Sequence, residues 1–218
     1  MKQVENIDQR NDQHKQAIWL FKQDCIFLRG TQDYKDMPEF NLPEVGFIGR
    51  SNVGKSSLLN ALTNRHTLAR ISKTPGRTQQ INFFKLNNQI ILVDMPGYGY
   101  AQASKKMIES WTKLIQDYLS YRTSLKRIYL LVDIRHGLKP NDQEMMSLLD
   151  TQGISYQVIL TKDDKVSSHH SQTIYDQTYH QIKNHAAAYP EIISTSAQTK
   201  KGIDQLQLEI SQFALLNH

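Results

Sequence analysis

The sequence predicts an α/β fold in three layers, with a mostly parallel β-sheet covered by helices on both faces. Two observations predict it. Short apolar, β-prone runs alternate along the chain with longer segments of helical period, an order that is typical of parallel sheets. Several of these runs are apolar at consecutive positions, which indicates burial on both faces. In such sheets ligands bind at the carboxyl ends of the strands, so functional residues are expected there.

Seven runs are predicted to be strands: Cys25–Leu28, Val45–Ile48, Ile81–Leu86, Ile90–Val93, Ile128–Val132, Gln157–Leu160 and Glu191–Ser194. Two segments between or after them repeat apolar residues at three- and four-residue steps, which predicts amphipathic helices. The two apolar stripes consist of Ile108, Trp111, Leu114, Ile115, Tyr118 and Leu119, and of Ile203, Leu206, Ile210 and Phe213. We interpret both stripes as core packing.

Length and composition favour a single domain. The chain has 218 residues, of which 39% are hydrophobic, enough for one sizeable core. Residues 1–17 are polar and are expected to form a flexible N-terminal extension, which leaves residues 18–218 as the globular domain. The formal net charge of +5 suits an anionic partner such as RNA but is too small to indicate one alone.

The composition also favours a cytoplasmic protein that does not contact membranes. The longest aliphatic runs, such as Ile90–Val93, have four residues, whereas roughly 20 are needed to span a bilayer. The N-terminus is polar, and the single cysteine, Cys25, has no partner for an internal disulfide. The histidines between 167 and 185 lack cysteine or acidic partners at zinc spacing, so no zinc site is predicted. Nothing in the sequence demands an oligomer, and we expect a monomer.

A phosphate-binding loop is predicted directly after the strand at Val45–Ile48. The residues Gly49-Arg50-Ser51-Asn52-Val53-Gly54-Lys55-Ser56 match the pattern G-x-x-x-x-G-K-[ST], and a helix is predicted behind them. The glycines let backbone N–H groups wrap phosphate oxygens, Lys55 neutralises the β- and γ-phosphates, and the Ser56 hydroxyl ligates Mg²⁺. A chain of this length meets the pattern by chance about once in a hundred. The motif therefore predicts a nucleotide site.

A second phosphate-side motif follows the strand at Ile90–Val93. In Asp94-Met95-Pro96-Gly97, Asp94 is placed to hold Mg²⁺ through water, and the Gly97 amide is placed to sense a γ-phosphate. The bare pattern D-x-x-G occurs by chance about once in a chain this long. Its weight comes from its position, because it ends a hydrophobic strand about 40 residues after the phosphate loop.

A third motif indicates guanine rather than adenine. Thr161-Lys162-Asp163-Asp164 follows the strand at Gln157–Leu160 and matches [NT]-K-x-D. The Asp164 carboxylate can accept hydrogen bonds from N1–H and the exocyclic amine of guanine, a donor pair that adenine lacks on that edge. Lys162 would lie along the base, and Thr195-Ser196-Ala197 would offer a backbone amide to the guanine O6. The alternative for Thr161–Asp164 is a polar turn with a helix cap.

Together these residues resemble the translation-factor-related GTPases and, more narrowly, the EngB family (also called YihA or YsxC), small bacterial GTPases linked to large-ribosomal-subunit assembly. The resemblance covers about residues 20–216. It is carried by PEVGFIGRSNVGKSSLLNAL from Pro43, SKTPGRTQQINFF from Ser72, DMPGYGYA from Asp94, VDIRHGLKPND from Val132, TKDDK from Thr161 and STSAQTKKGI from Ser194. The sequence departs from the family at Asp163, where alanine or serine is often found.

The resemblance implies a GTP/GDP switch. By position, Gly76-Arg77-Thr78-Gln79-Gln80 would belong to the first switch segment, in which the Thr78 hydroxyl completes the Mg²⁺ shell with Ser56. The residues at the centre of catalysis would then be Lys55, Thr78 and Gly97. A role in large-subunit assembly would also make the protein necessary for normal cell division and septation.

Two further positions bear on the rate of hydrolysis. Tyr98 stands where Ras-like GTPases carry the glutamine that orients the attacking water, so intrinsic hydrolysis is expected to be slow. Asn52 stands where related GTPases hold K⁺ near the phosphates, although asparagine equally suits a tight turn. A bound partner or K⁺ would then supply the missing acceleration.

The implied partner is the large ribosomal subunit or its precursor, through ribosomal RNA and proteins. Candidate RNA contacts are the basic residues Arg65, Arg70, Lys73, Arg77, Lys105, Lys106, Lys126 and Arg127. Asp133 and Arg135 are interpreted as loop-bracing residues. Two alternatives remain open: a P-loop ATPase or small-molecule kinase, and an interaction module that acts directly in cell division.

Overall fold

The computed structural model describes residues 2–65, 68, 80–99 and 105–215, with the side chains of 2–11, 105–108 and 215 outside the description. Within these residues the elements are α1 Lys2–Lys22, β1 Cys25–Thr31, β2 Glu44–Gly49, α2 Lys55–Leu62, β3 Ile81–Leu86, β4 Ile90–Asp94, α3 Lys105–Tyr121, β5 Leu125–Asp133, α4 Pro140–Thr151, β6 Tyr156–Thr161, α5 Ser168–Ile182, β7 Ile193–Ser194 and α6 Ile203–Leu215. None of these helices is both long and apolar enough to cross a bilayer.

The seven strands form one sheet in the order β1-β3-β4-β2-β5-β6-β7. The five strands from β4 to β7 pair in parallel, whereas β3 runs antiparallel to both β1 and β4. The turn between β3 and β4 is made by Asn87 and Asn88, which both have positive φ, a conformation that asparagine tolerates well. The predicted fold class is confirmed, and each predicted strand overlaps an observed one.

Apolar side chains fill a core on each face of the sheet. One core lies beneath α1, α2 and α6, and the other lies beneath α3, α4 and α5. Neighbouring residues of one strand enter opposite cores, as Phe47 and Ile48 do, because side chains alternate across a strand. Both predicted helical stripes pack into these cores, apart from two residues of the first stripe. Trp111 is buried but belongs to neither core cluster, and the side chain of Ile108 lies outside the described residues. The three-layer arrangement follows from this double burial.

The N-terminal segment differs from the expected loose extension. Helix α1 runs continuously from Lys2 to Lys22, and Ala17, inside the predicted extension, is fully buried. Leu20 and Phe21 are also buried and join the core beside α6. The polar composition obscured this helix because one apolar turn is enough to dock it, even though residues 12–16 before that turn are exposed. The boundary at residues 17 and 18 therefore falls within a helix, while flexibility of residues 1–17 stays a prediction.

A buried ion pair joins the amino end of the sheet to α3. Glu44 has no exposed surface, and its carboxylate accepts hydrogen bonds from Tyr118 at 2.8 Å, Arg122 at 2.7 Å and Ser124 at 2.6 Å. The Arg122 guanidinium also lies over the ring of Phe40, 5.3 Å from its centroid. A buried carboxylate needs several donors to offset its desolvation, and this one has three.

Candidate nucleotide-binding site

The predicted phosphate loop connects β2 to α2 at the carboxyl end of the sheet. Gly54 caps α2 with φ of 105°, which only glycine adopts without strain. At Gly49 a Cβ atom would lie 2.7 Å from the Leu131 carbonyl oxygen, so the loop leaves the sheet too close to β5 for a side chain. Asn52, at the turn of the loop, has φ of 64°. The two motif glycines and the asparagine thus allow the chain to wrap around a small volume at the start of a helix, where N–H groups attract anions.

Lys55 and Asp94 meet at the entrance of this loop. Lys55 Nζ donates to Asp94 Oδ1, and the two side chains are 14% and 12% exposed. Asp94 Oδ2 accepts a long hydrogen bond of 3.5 Å from Asn82. The start of α2 and the end of β4 therefore bring together the cation and the carboxylate that the sequence assigned to the phosphates and to Mg²⁺.

Backbone hydrogen bonds join the segment after Asp94 to the phosphate loop. Ser51 N–H donates to the Tyr98 carbonyl at 3.0 Å, and Tyr98 N–H donates to the Gly49 carbonyl at 3.2 Å. A Cβ at Gly97 would lie 3.3 Å from the Ser51 nitrogen. Glycine at position 97 is therefore what permits the two loops to approach each other so closely.

On the opposite side of the loop, the end of β6 contributes two anchoring side chains. Thr161 Oγ1 donates to the Val53 carbonyl at 2.7 Å. Lys162 Nζ donates to the Asn52 carbonyl at 2.6 Å and lies 2.9 Å from Asp133 Oδ2. Lys162 therefore contacts the backbone of the phosphate loop directly, and Asp133 holds its ammonium group from the other side.

Asp133 holds Lys162 while Arg135 holds Asp133. Burial acts to raise the pKa of Asp133, but hydrogen bonds from Arg135 and Lys162 outweigh it and keep that pKa well below its ordinary value of 3.8. The guanidinium of Arg135 donates at 2.9 and 2.7 Å. The interpretation of Asp133 and Arg135 as loop-bracing residues agrees with this geometry.

The carboxylate expected to read guanine is fixed by its neighbours. Asp164 Oδ1 accepts a hydrogen bond from Ser196 Oγ at 2.6 Å, and Oδ2 lies 2.9 Å from Lys165 Nζ. The hydrogen bonds from Ser196 and Lys165 lower the pKa of Asp164 below its ordinary value, so the group is an anion at neutral pH. Ser196 is fully buried and its Oγ also accepts from the Thr199 amide at 3.0 Å.

A cavity of about 710 Å³ opens between α2 and the two loops that follow β6 and β7. Its walls include Gly54, Ser57, Lys162, Asp164 and Ala197. The volume falls within the range of roughly 300–1,000 Å³ that is typical of small-molecule sites. The base-recognition residues predicted from two separate motifs thus face one shared space beside the phosphate loop.

Other predicted site residues occupy different surroundings. Met95 is buried in the sheet core, Thr195 is fully buried with its N–H on the Leu160 carbonyl, and Gln80 donates to Asn82 at 2.8 Å. Arg50 pairs with Tyr98 as a β-bridge, and Pro96 is buried. Gly76, Arg77, Thr78 and Gln79 lie outside the described residues, as do the candidate RNA contacts Arg70 and Lys73 and the side chains of Lys105 and Lys106.

One candidate RNA contact has a structural role instead. The Arg127 side chain is 12% exposed and lies 3.5 Å from Glu209. Its guanidinium stacks on the Tyr189 ring, 3.9 Å from the centroid, and it also donates to Gln157. Position in the sequence suggested a surface cation, but the amino end of β5 is covered by α6. Arg127 is therefore no longer a candidate RNA contact.

Sequence reasoning missed the hydrogen bond between Tyr98 and Asp142. The Tyr98 hydroxyl donates to Asp142 Oδ1 at 2.6 Å, and the other carboxylate oxygen accepts from the Lys139 amide at the start of α4. Burial raises the pKa of both Tyr98 and Asp142, and the neighbouring carboxylate raises that of Tyr98 further. The one available signal was an acidic residue three positions into a helix, which indicates a cap but does not identify a distant partner.

We expect Asp133→Asn to lower the affinity for GDP about threefold to tenfold, because it removes the charge that holds Lys162 beside the phosphate loop. Isothermal titration at pH 7 measures the change. Arg135→Ala is the matched control, since Arg135 contacts Asp133 without contacting Lys162, and its effect should be smaller. The folded-state pKa of Asp133 is depressed, so the interaction is complete above about pH 4 and lost only as the pH falls further. GDP affinity equal to wild type in Asp133→Asn would contradict the bracing role.

Comparison with known proteins identifies a family. A protein-family model described as "50S ribosome-binding GTPase" matches residues 44–162. The probable GTP-binding protein EngB of Sinorhizobium fredii is 48% identical over 202 residues, covering 88% of this chain and 93% of that protein. The EngB of Rhodospirillum rubrum is 45% identical over 201 residues, covering 90% of this chain and 87% of its own.

A solved structure is also similar. The crystal structure of a probable GTP-binding protein engB superposes with a TM-score of 0.63 at 26% identity, over 78% of this chain and 98% of that chain. Sequence identity near one half over almost the whole length, together with the matching fold, leaves one assignment. The chain belongs to the EngB family of GTP-binding proteins.

Proposed function

We propose that this protein is a GTP/GDP switch that hydrolyses GTP slowly and acts in assembly of the large ribosomal subunit in the cytoplasm. The observation that carries the guanine assignment is the Asp164 carboxylate, held by Ser196 at the wall of the cavity beside the phosphate loop. An ionised carboxylate at that place accepts from guanine N1–H and the 2-amine, whereas adenine presents no such pair. Guanine recognition is therefore the first property to test.

The site suits Mg²⁺ as well as a nucleotide. Mg²⁺ prefers hard oxygen ligands and phosphate oxygens, and this structure offers the Ser56 hydroxyl at the start of α2 and the Asp94 carboxylate at the end of β4. Resemblance adds Thr78. When bound, the ion would neutralise charge on the phosphates, while the chain itself supplies Lys55 and the N–H groups of the loop.

Slow hydrolysis is supported by the hydrogen bond of Tyr98. Its hydroxyl donates to Asp142, 44 residues away in sequence, and a phenol so engaged is a poor substitute for the water-orienting glutamine of Ras-like GTPases. An activator would have to supply that function. K⁺ held by Asn52 stays a prediction, and the positive φ of Asn52 equally supports a purely conformational reason for asparagine there.

The ribosomal part of the proposal rests on the family. The matching family model is described as a 50S ribosome-binding GTPase, and we propose that the GTP-bound form docks on ribosomal RNA or protein through the segments around residues 71–80 and 98–105. Lys126 is an exposed candidate contact. A need for this protein in cell division and septation would follow indirectly from failed subunit assembly.

Nucleotide titration tests the proposal. Fluorescent GTP, GDP and ATP analogues are titrated against the wild type, Asp164→Asn and the control Asp176→Asn. Asp176 is an exposed carboxylate on α5 that accepts from Gln172, so its substitution matches the charge change away from the cavity. We expect guanine selectivity in the wild type and control and its loss in Asp164→Asn. ATP binding as tight as GTP binding by the wild type would favour the ATPase or kinase alternative.

Co-sedimentation separates the ribosomal role from direct action in cell division. The wild type is incubated with purified large subunits and either GDP or a non-hydrolysable GTP analogue. Binding that requires the GTP analogue supports the ribosomal switch. Equal absence of binding with both nucleotides would reject that part of the proposal and favour the division module.

A further inference from the structure

Asp163 faces away from its neighbour in the recognition motif. Lys162, Asp164 and Lys165 line the cavity, whereas the Asp163 carboxylate is 10% exposed and bonds elsewhere. Its Oδ2 lies 2.6 Å from Lys201 Nζ, and its Oδ1 accepts a hydrogen bond of 2.6 Å from Ser171 Oγ near the start of α5. One carboxylate thereby joins the turn after β6, helix α5 and the turn before α6.

Lys201 is also tied to the second recognition loop. Its carbonyl accepts from the Ser196 amide at 3.0 Å, and the Asp163 amide donates to the Thr195 carbonyl at 3.0 Å. On the cavity side, Ser196 Oγ bonds the Asp164 carboxylate. The two loops that recognise the base are thus joined by a side-chain contact facing the cavity, by backbone hydrogen bonds, and by a second side-chain contact behind them.

We propose that Asp163 and Lys201 are positioning residues that set the selectivity for guanine by holding these two loops in register. The inference rests on the guanine recognition proposed above. A guanine base needs both loops at once, since Asp164 accepts from N1–H and the 2-amine while the loop at 195–197 donates to O6. A displacement of either loop by a fraction of an ångström lengthens one set of hydrogen bonds, which weaken steeply with distance and angle.

Hypoxanthine is the base that separates this role from simple stabilisation. It keeps N1–H and O6 but lacks the 2-amine, so the ratio of GDP affinity to IDP affinity reports how well Asp164 is aligned with that amine. A contact that only stabilised the fold would change melting temperature and leave this ratio as it was. A positioning contact changes the ratio itself.

The experiment compares Asp163→Asn, Lys201→Met, the double variant and the control Asp176→Asn. Each substitution removes a charge with little change in side-chain size. Dissociation constants for GDP, IDP and ADP are measured together with the melting temperature. We expect the ratio of GDP affinity to IDP affinity to fall about threefold to tenfold in each single variant. The double variant should fall no further than either single one, because both remove the same interaction.

Salt provides a second signature. The Lys201 side chain is 57% exposed, so raising the ionic strength should weaken its ion pair with Asp163. The wild type and Lys201→Met should then differ less in their ratio of GDP affinity to IDP affinity. An unchanged GDP-to-IDP ratio in both single variants, or additive losses in the double variant, would overturn the inference. If instead the wild type shows no preference for GDP over ADP, the proposed function itself has failed. The two failures are thus distinct.

Discussion

Replacing Lys55 by alanine is expected to lower the affinity for GTP by about a hundredfold or more. Lys55 is the cation at the start of α2, and bonds of a lysine to phosphate are charge-assisted, each contributing roughly 1.5–3 kcal/mol. Its loss also leaves Asp94, its partner in the structure, as an unneutralised anion where phosphates would enter. A loss of about 3 kcal/mol corresponds to the expected hundredfold change.

Equilibrium titration with a fluorescent GTP analogue measures this loss, and Lys15→Ala is its control. Lys15 also pairs with an aspartate, Asp12, but their side chains are 79% and 70% exposed on α1, so the control removes the same charge without touching the phosphate loop. Lys15→Ala should bind GTP as the wild type does. GTP affinity in Lys55→Ala within threefold of wild type would refute the assignment of the phosphate site.

Replacing Arg122 by methionine is expected to destabilise the fold by about 3–5 kcal/mol, because it leaves the Glu44 charge buried without its cation. For a domain of this size, about 10 °C in melting temperature is the corresponding shift. Methionine keeps an unbranched apolar side chain beside Phe40, so the expected loss comes from the charge and from the hydrogen bonds of Arg122 to Glu44 and to the Pro38 carbonyl. Thermal and urea unfolding, monitored by circular dichroism, measure it.

The matched control is Arg65→Met at a pair of similar length. Arg65 lies 2.8 Å from Asp24 and Arg122 lies 2.7 Å from Glu44, but the exposed fractions are 44% and 90% in the first pair and 9% and 0% in the second. An exposed pair contributes less than about 1 kcal/mol. Equal destabilisation by the two substitutions would mean that burial does not determine the contribution of Arg122.

Local pattern was sufficient to predict the fold and the motifs that approach the cavity. Strand β4 and the carboxylate at its end follow from four aliphatic residues and Asp94, since parallel strands bring their carboxyl ends to one edge. The same logic brought Lys162 and Asp164 to the phosphate loop. These predictions needed only the order of elements along the chain.

What could not be predicted depends on which side chain meets which across long separations. The residue before Asp164 was expected at the nucleotide, yet Asp163 meets Lys201, and nothing in the spacing of the two residues indicates this contact. Arg127 was expected on the surface, but Glu209 and Tyr189 cover it. Such pairings depend on how the helices pack on the sheet. Residue types and local periodicity do not contain that information.

Because α1 packs against α6, the core between them forms only after both helices have been synthesised. Leu20 and Phe21 leave the translating ribosome long before Leu206 and Ile210, which lie in the same core. At roughly 5–20 residues per second, the first helix waits on the order of ten seconds or longer for its partner. During that interval its apolar turn lacks its partner, so synthesis of α6, rather than formation of the first helix, is the step that closes this core.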